Sequence, residues 1–414
     1  MTEHVPSAKT VTRCCIAGGG PAGMMAGFLL ARAGVKVVVL EKHADFLRDF
    51  RGDTIHASTL ELMYELGLLD EFLAQPHQKI ERLAGLFGDT RIQIADLTRL
   101  PTHCRFIALM PQWDFLNFLA EKGKRYPTFH LLMQTQATDL IEDNGRVCGV
   151  RATGPEGPIE IRSDLVIAAD GRHSTLRERT GLKVQDLGAP MDVFWMRLSR
   201  QPGDAGQVLG RFAAGALLVM LDRGDYWQCA YVIPKGSADT LRAEGIEAFR
   251  ERIAAIVPSL RERLSELRGW DDVKLLSVAV DRLETWHKPG LLCIGDAAHA
   301  MSPIGGVGIN LAVQDAVAAA NTLAAPLARG APSDGDLAAV QTRRMFPTRF
   351  TQAIQVIVQN RIITPVLASR TQLTPPWPAR VLNRLPFLQQ LIARVVAVGV
   401  RPEHVQTPEK SPSS

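Results

Sequence analysis

Residues 11–41 read VTRCCIAGGGPAGMMAGFLLARAGVKVVVLE, and this stretch decides the fold. An apolar run over 11–17, interrupted only by Arg13, leads into Gly18-Gly19-Gly20-Pro21-Ala22-Gly23. The spacing predicts a helix over 21–33, ended by Gly34, and a β-branched strand over 35–40. Gly18, Gly20 and Gly23 fit GxGxxG. Gly18 permits a tight turn, Gly20 lets main chain approach a pyrophosphate at the helix N-terminus, and Gly23 lets helix press on strand. Pro21 and Ala22 carry the same loop into the helix. Glu41 closes the second strand, where a carboxylate accepts hydrogen bonds from ribose hydroxyls and disfavours a 2′-phosphate; Lys42 follows it. The whole is a βαβ unit built to bind a dinucleotide.

Two later stretches repeat the strand-to-glycine corner. Residues 165–168 form a short buried strand running into Asp170-Gly171, with a helix starting near Ser174; alone, this is a turn plus a helix cap. Residues 291–294 run into Gly295-Asp296-Ala297-Ala298-His299, then Pro303, Gly305, Gly306, Val307, Gly308 and Asn310, where a further helix opens. Asp296 suits the hydroxyls of a polyol, and the loop amides with the helix N-terminus suit an anion. Between the corners the pattern gives helices over 58–66 and 113–123 and a hairpin turn at Asn144-Gly145. Strands follow over 193–198, 217–221 and 227–233, then a helical stretch over 246–267 broken at Pro258, and strand again over 273–281. Beyond 330 the chain is helical and proline-rich, with a disordered polar tail over 407–414.

The fold class is therefore α/β. A Rossmann-like domain is assembled from 1–75, 100–183 and 275–330; a mainly antiparallel sheet from 76–99 and 184–274 is inserted; 331–414 is a C-terminal helical region. Lys and Arg number 47 against 43 Asp and Glu, for a net charge of +4 with no run of like charges, which argues against nucleic-acid binding. Six cysteines without a CxxC, and an N-terminus without an apolar core, point away from a disulfide framework, a metal site and a secretory signal, and towards the cytoplasm. The apolar stretch 391–400 contains Arg394 and is too short to span a bilayer, so no integral membrane segment is expected. The helical apolar spacing over 381–400 leaves open a membrane surface, a core seal or a homodimer face; Pro386 and few basic neighbours favour the last two.

The three corners in this order resemble the FAD-dependent aromatic monooxygenases of the para-hydroxybenzoate hydroxylase type, single-component flavoproteins. The resemblance spans about residues 11–325 and fades beyond 330. It implies that Gly18 to Gly23 hold the FAD pyrophosphate and Glu41 the adenosine ribose. It implies Asp170-Gly171 on FAD and the nicotinamide coenzyme, Asp296 on the ribityl chain, and 303–310 along the isoalloxazine. Arg51-Gly52 and Gln112 match family positions that also face FAD. NADH or NADPH binds only transiently in such enzymes, consistent with the single GxGxxG. The implied reaction uses O2, through a flavin C4a-(hydro)peroxide, to hydroxylate an aromatic or polyketide-like small molecule, with the protein supplying orientation and electrostatics. No catalytic acid or base is assigned.

Substrate is expected between the flavin and the inserted sheet, where alternation offers Trp195 and Arg197 on one strand and Tyr226 and Gln228 on the next. Arg197 suits a carboxylate or phenolate but equally a solvent-facing strand position. His56 and His299 read more readily as structural than as reactive. The flavin-halogenase signature WxWxIP is absent: aligned on Ile233-Pro234, Cys229 and Tyr231 replace its tryptophans. An FAD dehydrogenase or reductase acting on an apolar substrate, and a non-catalytic flavin-binding protein, stay open as alternatives.

Overall fold

A computed structural model of the chain describes residues 8–47, 54–204, 210–371 and 373–410. Its main sheet is built on the opening βαβ unit. Strand Ala8–Ala17 starts three residues earlier than the apolar run suggests, and it lies parallel between Val37–Leu40 and Gly157–Ala168. Phe129–Leu132 extends the sheet on one side, Leu291–Cys293 on the other, both parallel. Arg13 interrupts the apolar run without penalty because it reaches the surface and pairs with Asp164 at 2.7 Å. Helix Pro21–Arg32 buries nearly its whole circumference, packing against helices Gln112–Gly123 and Gly308–Arg329. Where the strands are covered on both faces in this way they are apolar: Cys14, Cys15 and Ile16 are fully buried, as are Leu165, Val166 and Ile167. The hairpin Gln136–Asp143 and Arg146–Gly154 hangs antiparallel from the edge of Gly157–Ala168. Its turn residues Asn144 and Gly145 have φ of 49° and 78°, the left-handed pair that an Asn-Gly turn supplies.

The register of these strands positions everything that follows. Ala17 pairs with both Leu40 and Ala168, and Ala168 with Cys293. Four adjacent parallel strands thus end in one row. All three glycine corners and Glu41 emerge at that edge, where open α/β sheets bind their ligands.

A second sheet has seven strands, ordered Lys274–Leu276, Met191–Ser199, Tyr226–Pro234, Ala216–Asp222, Gly210–Ala213, Arg82–Phe87 and Thr90–Asp96. Its strands alternate. Phe194, Met196, Leu198, Trp227, Cys229 and Tyr231 face helix Ile246–Ile256, with the Phe194 and Phe249 rings 5.6 Å apart. Val193, Trp195, Val219, Ala230 and Val232 face the other way, towards Ile304, Ile363 and Val366.

Several sequence expectations shift. Helix 246–267 stops at Ile256, and Pro258 opens a 3-10 segment, Pro258–Glu266, because proline cannot continue the α-helical ladder. The strand expected over 273–281 is two strands in two sheets: Lys274–Leu276, and Asp281–Leu283 beside Val184–Asp186 and His299–Ala300. The tail expected to be disordered from 407 is docked as far as Lys410. Arg32 donates to the Thr407 carbonyl at 2.8 Å, the Lys410 N–H to the Arg32 carbonyl at 2.9 Å, and the Tyr126 hydroxyl to Glu409 at 2.8 Å. Among the described residues no helix is long and apolar enough to cross a membrane.

Candidate active site

At the first corner the glycines separate into two kinds. A Cβ on Gly18 would lie 2.3 Å from the Ala169 carbonyl oxygen, and one on Gly23 would lie 1.9 Å from the Gly18 carbonyl oxygen. Both are excluded by the protein itself. A Cβ on Gly20 would meet nothing within 4 Å. Gly20 is the N-cap of helix Pro21–Arg32, with extended backbone that any residue adopts, and the space before it is open. Gly19, outside the GxGxxG positions, is constrained as well: its Cβ would stand 2.8 Å from Glu41 Cβ. The buried Glu41 carboxylate accepts the Gly19 N–H at 3.2 Å and the His43 N–H at 3.0 Å, tying the second strand to the loop. Lys42 beside it is exposed. Arg51 and Gly52 lie outside the described residues. Gln112 is the half-buried first residue of helix Gln112–Gly123.

At the second corner the bland reading is visible. The Asp170 carboxylate accepts from the Ser174 hydroxyl and from the Leu176 N–H at 3.2 Å, while Ser174 caps Thr175–Thr180 by accepting the Arg177 N–H at 2.9 Å. Burial raises the Asp170 carboxyl pKa, with the Ser174 and main-chain donors opposing it. Gly171 has φ of 89° with open space before it. Arg172 reaches across to the third corner, 3.6 Å from Asp296.

At the third corner Gly295 has φ of 59°, and its Cβ would sit 3.0 Å from Ala22 Cβ, so this glycine is where helix Pro21–Arg32 meets the loop. Asp296 is partly exposed. Pro303 starts the turn Ile304–Gly306, with φ of 77° at Gly305 and 63° at Gly306. Gly306 is jammed, its Cβ falling 2.4 Å from Thr54 Oγ1; Thr54 in turn donates to the Gly306 carbonyl at 2.9 Å. Before Gly308 there is open space, and before Gly305 only Val307 at 3.5 Å. Asn310, one turn into the helix, accepts the His56 N–H at 3.1 Å and the Thr59 hydroxyl at 2.7 Å. Its amide nitrogen is buried without a partner among the described residues. His56 is fully buried; Nδ1 bonds the Val396 carbonyl at 2.9 Å and Nε2 has no partner among the described residues. Burial lowers its pKa to about 4, so the ring is neutral at pH 7.

Beneath the third corner lies a buried charge network that the sequence did not announce. Asp315 accepts from the Gly295 N–H at 3.0 Å, His299 Nε2 at 2.6 Å and Arg344 Nε at 2.9 Å; Arg344 and Arg343 both reach Glu403. Burial alone would raise the Asp315 carboxyl, but His299 and Arg344 hold it below the usual range.

The four proposed substrate side chains part company. Trp195 lies on the sheet face towards Ile304, its indole N–H buried and unpartnered among the described residues. Gln228 is buried and accepts from Arg223 at 2.9 Å. Arg197 is exposed, stacks on Tyr226 at 3.7 Å and pairs with Asp225 at 3.4 Å; together they line a solvent-open cavity of about 390 Å³ with Glu266 and Asp271.

Comparison with known proteins gives the family. The family described as FAD binding domain matches residues 11–354. The chain is 32% identical over 402 residues to 6-methylpretetramide 4-monooxygenase of Streptomyces rimosus, covering 95% of each. It is 28% identical over 330 residues to 12-dehydrotetracycline 5-monooxygenase/anhydrotetracycline 6-monooxygenase of Streptomyces rimosus subsp. rimosus, covering 77% of this chain and 64% of that one. In fold it matches p-nitrophenol 4-monooxygenase PnpA from Pseudomonas putida DLL-E4 with a TM-score of 0.74 at 21% identity, over 94% of this chain and 96% of that one. The chain belongs to the FAD binding domain family and is a flavoprotein monooxygenase.

Proposed function

We propose that the protein is a single-component FAD monooxygenase that draws electrons from NADH or NADPH and uses O2 to hydroxylate an electron-rich aromatic polyketide. One observation carries the reading: Gly20 and Gly308 face open space at one sheet edge while Gly18, Gly23 and Gly306 are packed shut. A dinucleotide laid along that edge explains why the open glycines are glycine at all. The orphaned amide of Asn310 suits the same group, so the residues present fit FAD.

The loop at 18–23 and the first turn of Pro21–Arg32 hold the pyrophosphate, Glu41 and Asp296 the two polyol ends, and 303–310 the ring. When bound, FAD supplies hydride acceptance and oxygen activation. The N-terminus of Gly308–Arg329 then favours negative charge at the ring edge. Substrate lies against Trp195, Val219 and Ala230, whose packing excludes water, and the Trp195 N–H donates to a substrate oxygen. The names of the two Streptomyces relatives support a polycyclic, oxygenated substrate.

The test is purified protein with NADH or NADPH, O2 and a panel of polycyclic phenols. The expected result is stimulated coenzyme oxidation and a product heavier by one oxygen atom. Coenzyme oxidation that yields an oxidised product without added oxygen would make the protein a dehydrogenase; FAD that neither coenzyme reduces would make it a carrier.

A further inference from the structure

Helix Asp334–Val358 is amphipathic in the reverse sense. Arg344, Thr348, Gln352 and Gln355, at helical spacing, are each 3% exposed or less, while Phe346, Ile354 and Ile357 face solvent. A helix buries a polar stripe only where what it meets is polar too. Here it meets the main chain of the third corner. Gln355 accepts the Ser302 N–H at 3.1 Å and donates to the Ser302 and Ile304 carbonyls at 2.9 and 3.0 Å. Gln352 donates to the Ala300 carbonyl at 3.1 Å and the Asp281 carbonyl at 2.7 Å, and its own oxygen accepts from Arg282 at 3.1 Å.

Alternate carbonyls at 300, 302 and 304 are therefore fixed by two side chains. The loop needs that support. Its own strand is only His299–Ala300, and the turn after it contains two glycines at positive φ, the most permissive backbone available. Buried main-chain groups outside regular structure require partners, and these two amides supply both donors and acceptor.

We propose that Gln352 and Gln355 are positioning residues for the flavin ring: they set the path of 300–304 and so where the 305–310 loop presents its amides. This rests on the FAD reading above. The C-terminal helical region is thereby part of the cofactor site, although no residue of this helix is assigned a contact with FAD.

The test compares Gln355→Met, which keeps volume and removes three hydrogen bonds, with Thr348→Val. Thr348 is on the same stripe, equally buried, and its hydroxyl has no partner among the described residues. Two readouts are taken: hydrogen exchange over 300–308 in apoprotein, and the absorption spectrum and coenzyme reduction rate of the FAD-loaded protein. Gln355→Met should speed exchange across the loop about tenfold or more, the scale of a lost hydrogen bond. It should also shift the flavin spectrum and slow reduction about tenfold, with FAD affinity within about threefold because the other corners still hold the cofactor. Thr348→Val should change neither readout. Wild-type exchange and spectrum in Gln355→Met, or equal effects from Thr348→Val, would overturn the proposal. If Gln355→Met does not fold, Gln352→Met carries the same test with one loop carbonyl freed. Wild-type protein that fails to bind FAD overturns the earlier reading instead, and exchange in apoprotein still decides whether the glutamines fix the loop.

Discussion

The first and third glycine corners lie on one sheet edge, on either side of the second, yet they are held in different ways. At Gly18–Gly23 backbone is stopped by backbone: the Ala169 and Gly18 carbonyls exclude side chains at Gly18 and Gly23. At 295–308 the chain is held by distant side chains: Asp315 on the Gly295 N–H, Gln352 and Gln355 on 300–304, and Thr54 on Gly306. A corner of the first kind is fixed by main chain packed on main chain, within the turn and against the neighbouring strand. One of the second kind depends on a helix some fifty residues downstream, so it is sensitive to substitutions far from any glycine.

That contrast predicts where damage is greatest. Arg344→Met should leave Asp315 buried beside His299 without the guanidinium that pairs with it. Breaking a buried pair from one side costs about 3–5 kcal/mol. Urea unfolding of the apoprotein should register it, and a loss below about 1 kcal/mol would mean that the third corner does not lean on the C-terminal helices.

His56 ties the third corner to residue 396 and gives the comparison a pH dependence. Its pKa falls from about 6.5 unfolded to about 4 folded. With the folded value depressed, the unfolded state binds the extra proton, so stability is full above pH 6.5 and is lost as pH falls towards 4. The integrated loss is about 3 kcal/mol. The stability gap between wild type and His56→Gln should shrink by that order between pH 7 and pH 4; a gap independent of pH would mean the imidazole is not held neutral.

The first corner breaks differently at its two kinds of glycine. Gly23→Ala should lower apoprotein stability by about 2–3 kcal/mol through overpacking. Gly20→Val should lower apoprotein stability by no more than about 1 kcal/mol, the scale of a helix N-cap, while abolishing FAD retention, because its side chain enters the open space proposed for the pyrophosphate. FAD bound at wild-type occupancy in Gly20→Val would sink the assignment of this loop.

Which parts were legible in the sequence follows from the same distinction. The βαβ unit, the hairpin at Asn144-Gly145 and the helix from Gly308 were readable because turn glycines and β-branched runs report local geometry. Helix Asp334–Val358 was not assignable to the site. Beyond 330 the sequence reads only as helical and proline-rich; the structure buries Arg344, Thr348, Gln352 and Gln355 and exposes Phe346, Ile354 and Ile357, because the partner of the polar stripe is irregular main chain that no periodicity records. The inverted stripe itself, five polar residues from 344 to 359 at spacings of four and three, was the available signal. Gly19 escaped for another reason: GxGxxG leaves its second position free, whereas here Glu41 packs on it. Arg197 and Tyr226 were grouped with Trp195 by alternation alone, which reports the face of a strand and not how far along it the site extends.

Asp296→Ala tests the third corner at its exposed end. A carboxylate on ribityl hydroxyls contributes about 1.5–3 kcal/mol to FAD binding, and the pairing with Arg172 at 3.6 Å is partly exposed and adds little to the apoprotein. FAD affinity should fall by roughly tenfold to a hundredfold with the melting curve of the apoprotein unmoved. An affinity within twofold of wild type would take Asp296 out of the site.

The smallest effect belongs to the second corner, which stands between the other two in space and in kind. Asp170 is turned inwards to Ser174 and the Leu176 N–H, and Ser174 caps the next helix. Removing the cap with Ser174→Ala should cost about 1 kcal/mol of apoprotein stability. It should leave the FAD dissociation constant within about twofold, because the carboxylate that it frees points into the protein and the loop proposed for the pyrophosphate, 18–23, is untouched. A tenfold loss of FAD affinity at unchanged stability would reverse the assignment: the Asp170 turn would then be shaped for the cofactor, with the helix cap incidental. Coenzyme kinetics separate a third case. If FAD affinity holds but the KM for NADH or NADPH rises, the corner serves the transient reductant, and all three glycine corners have ligands of their own.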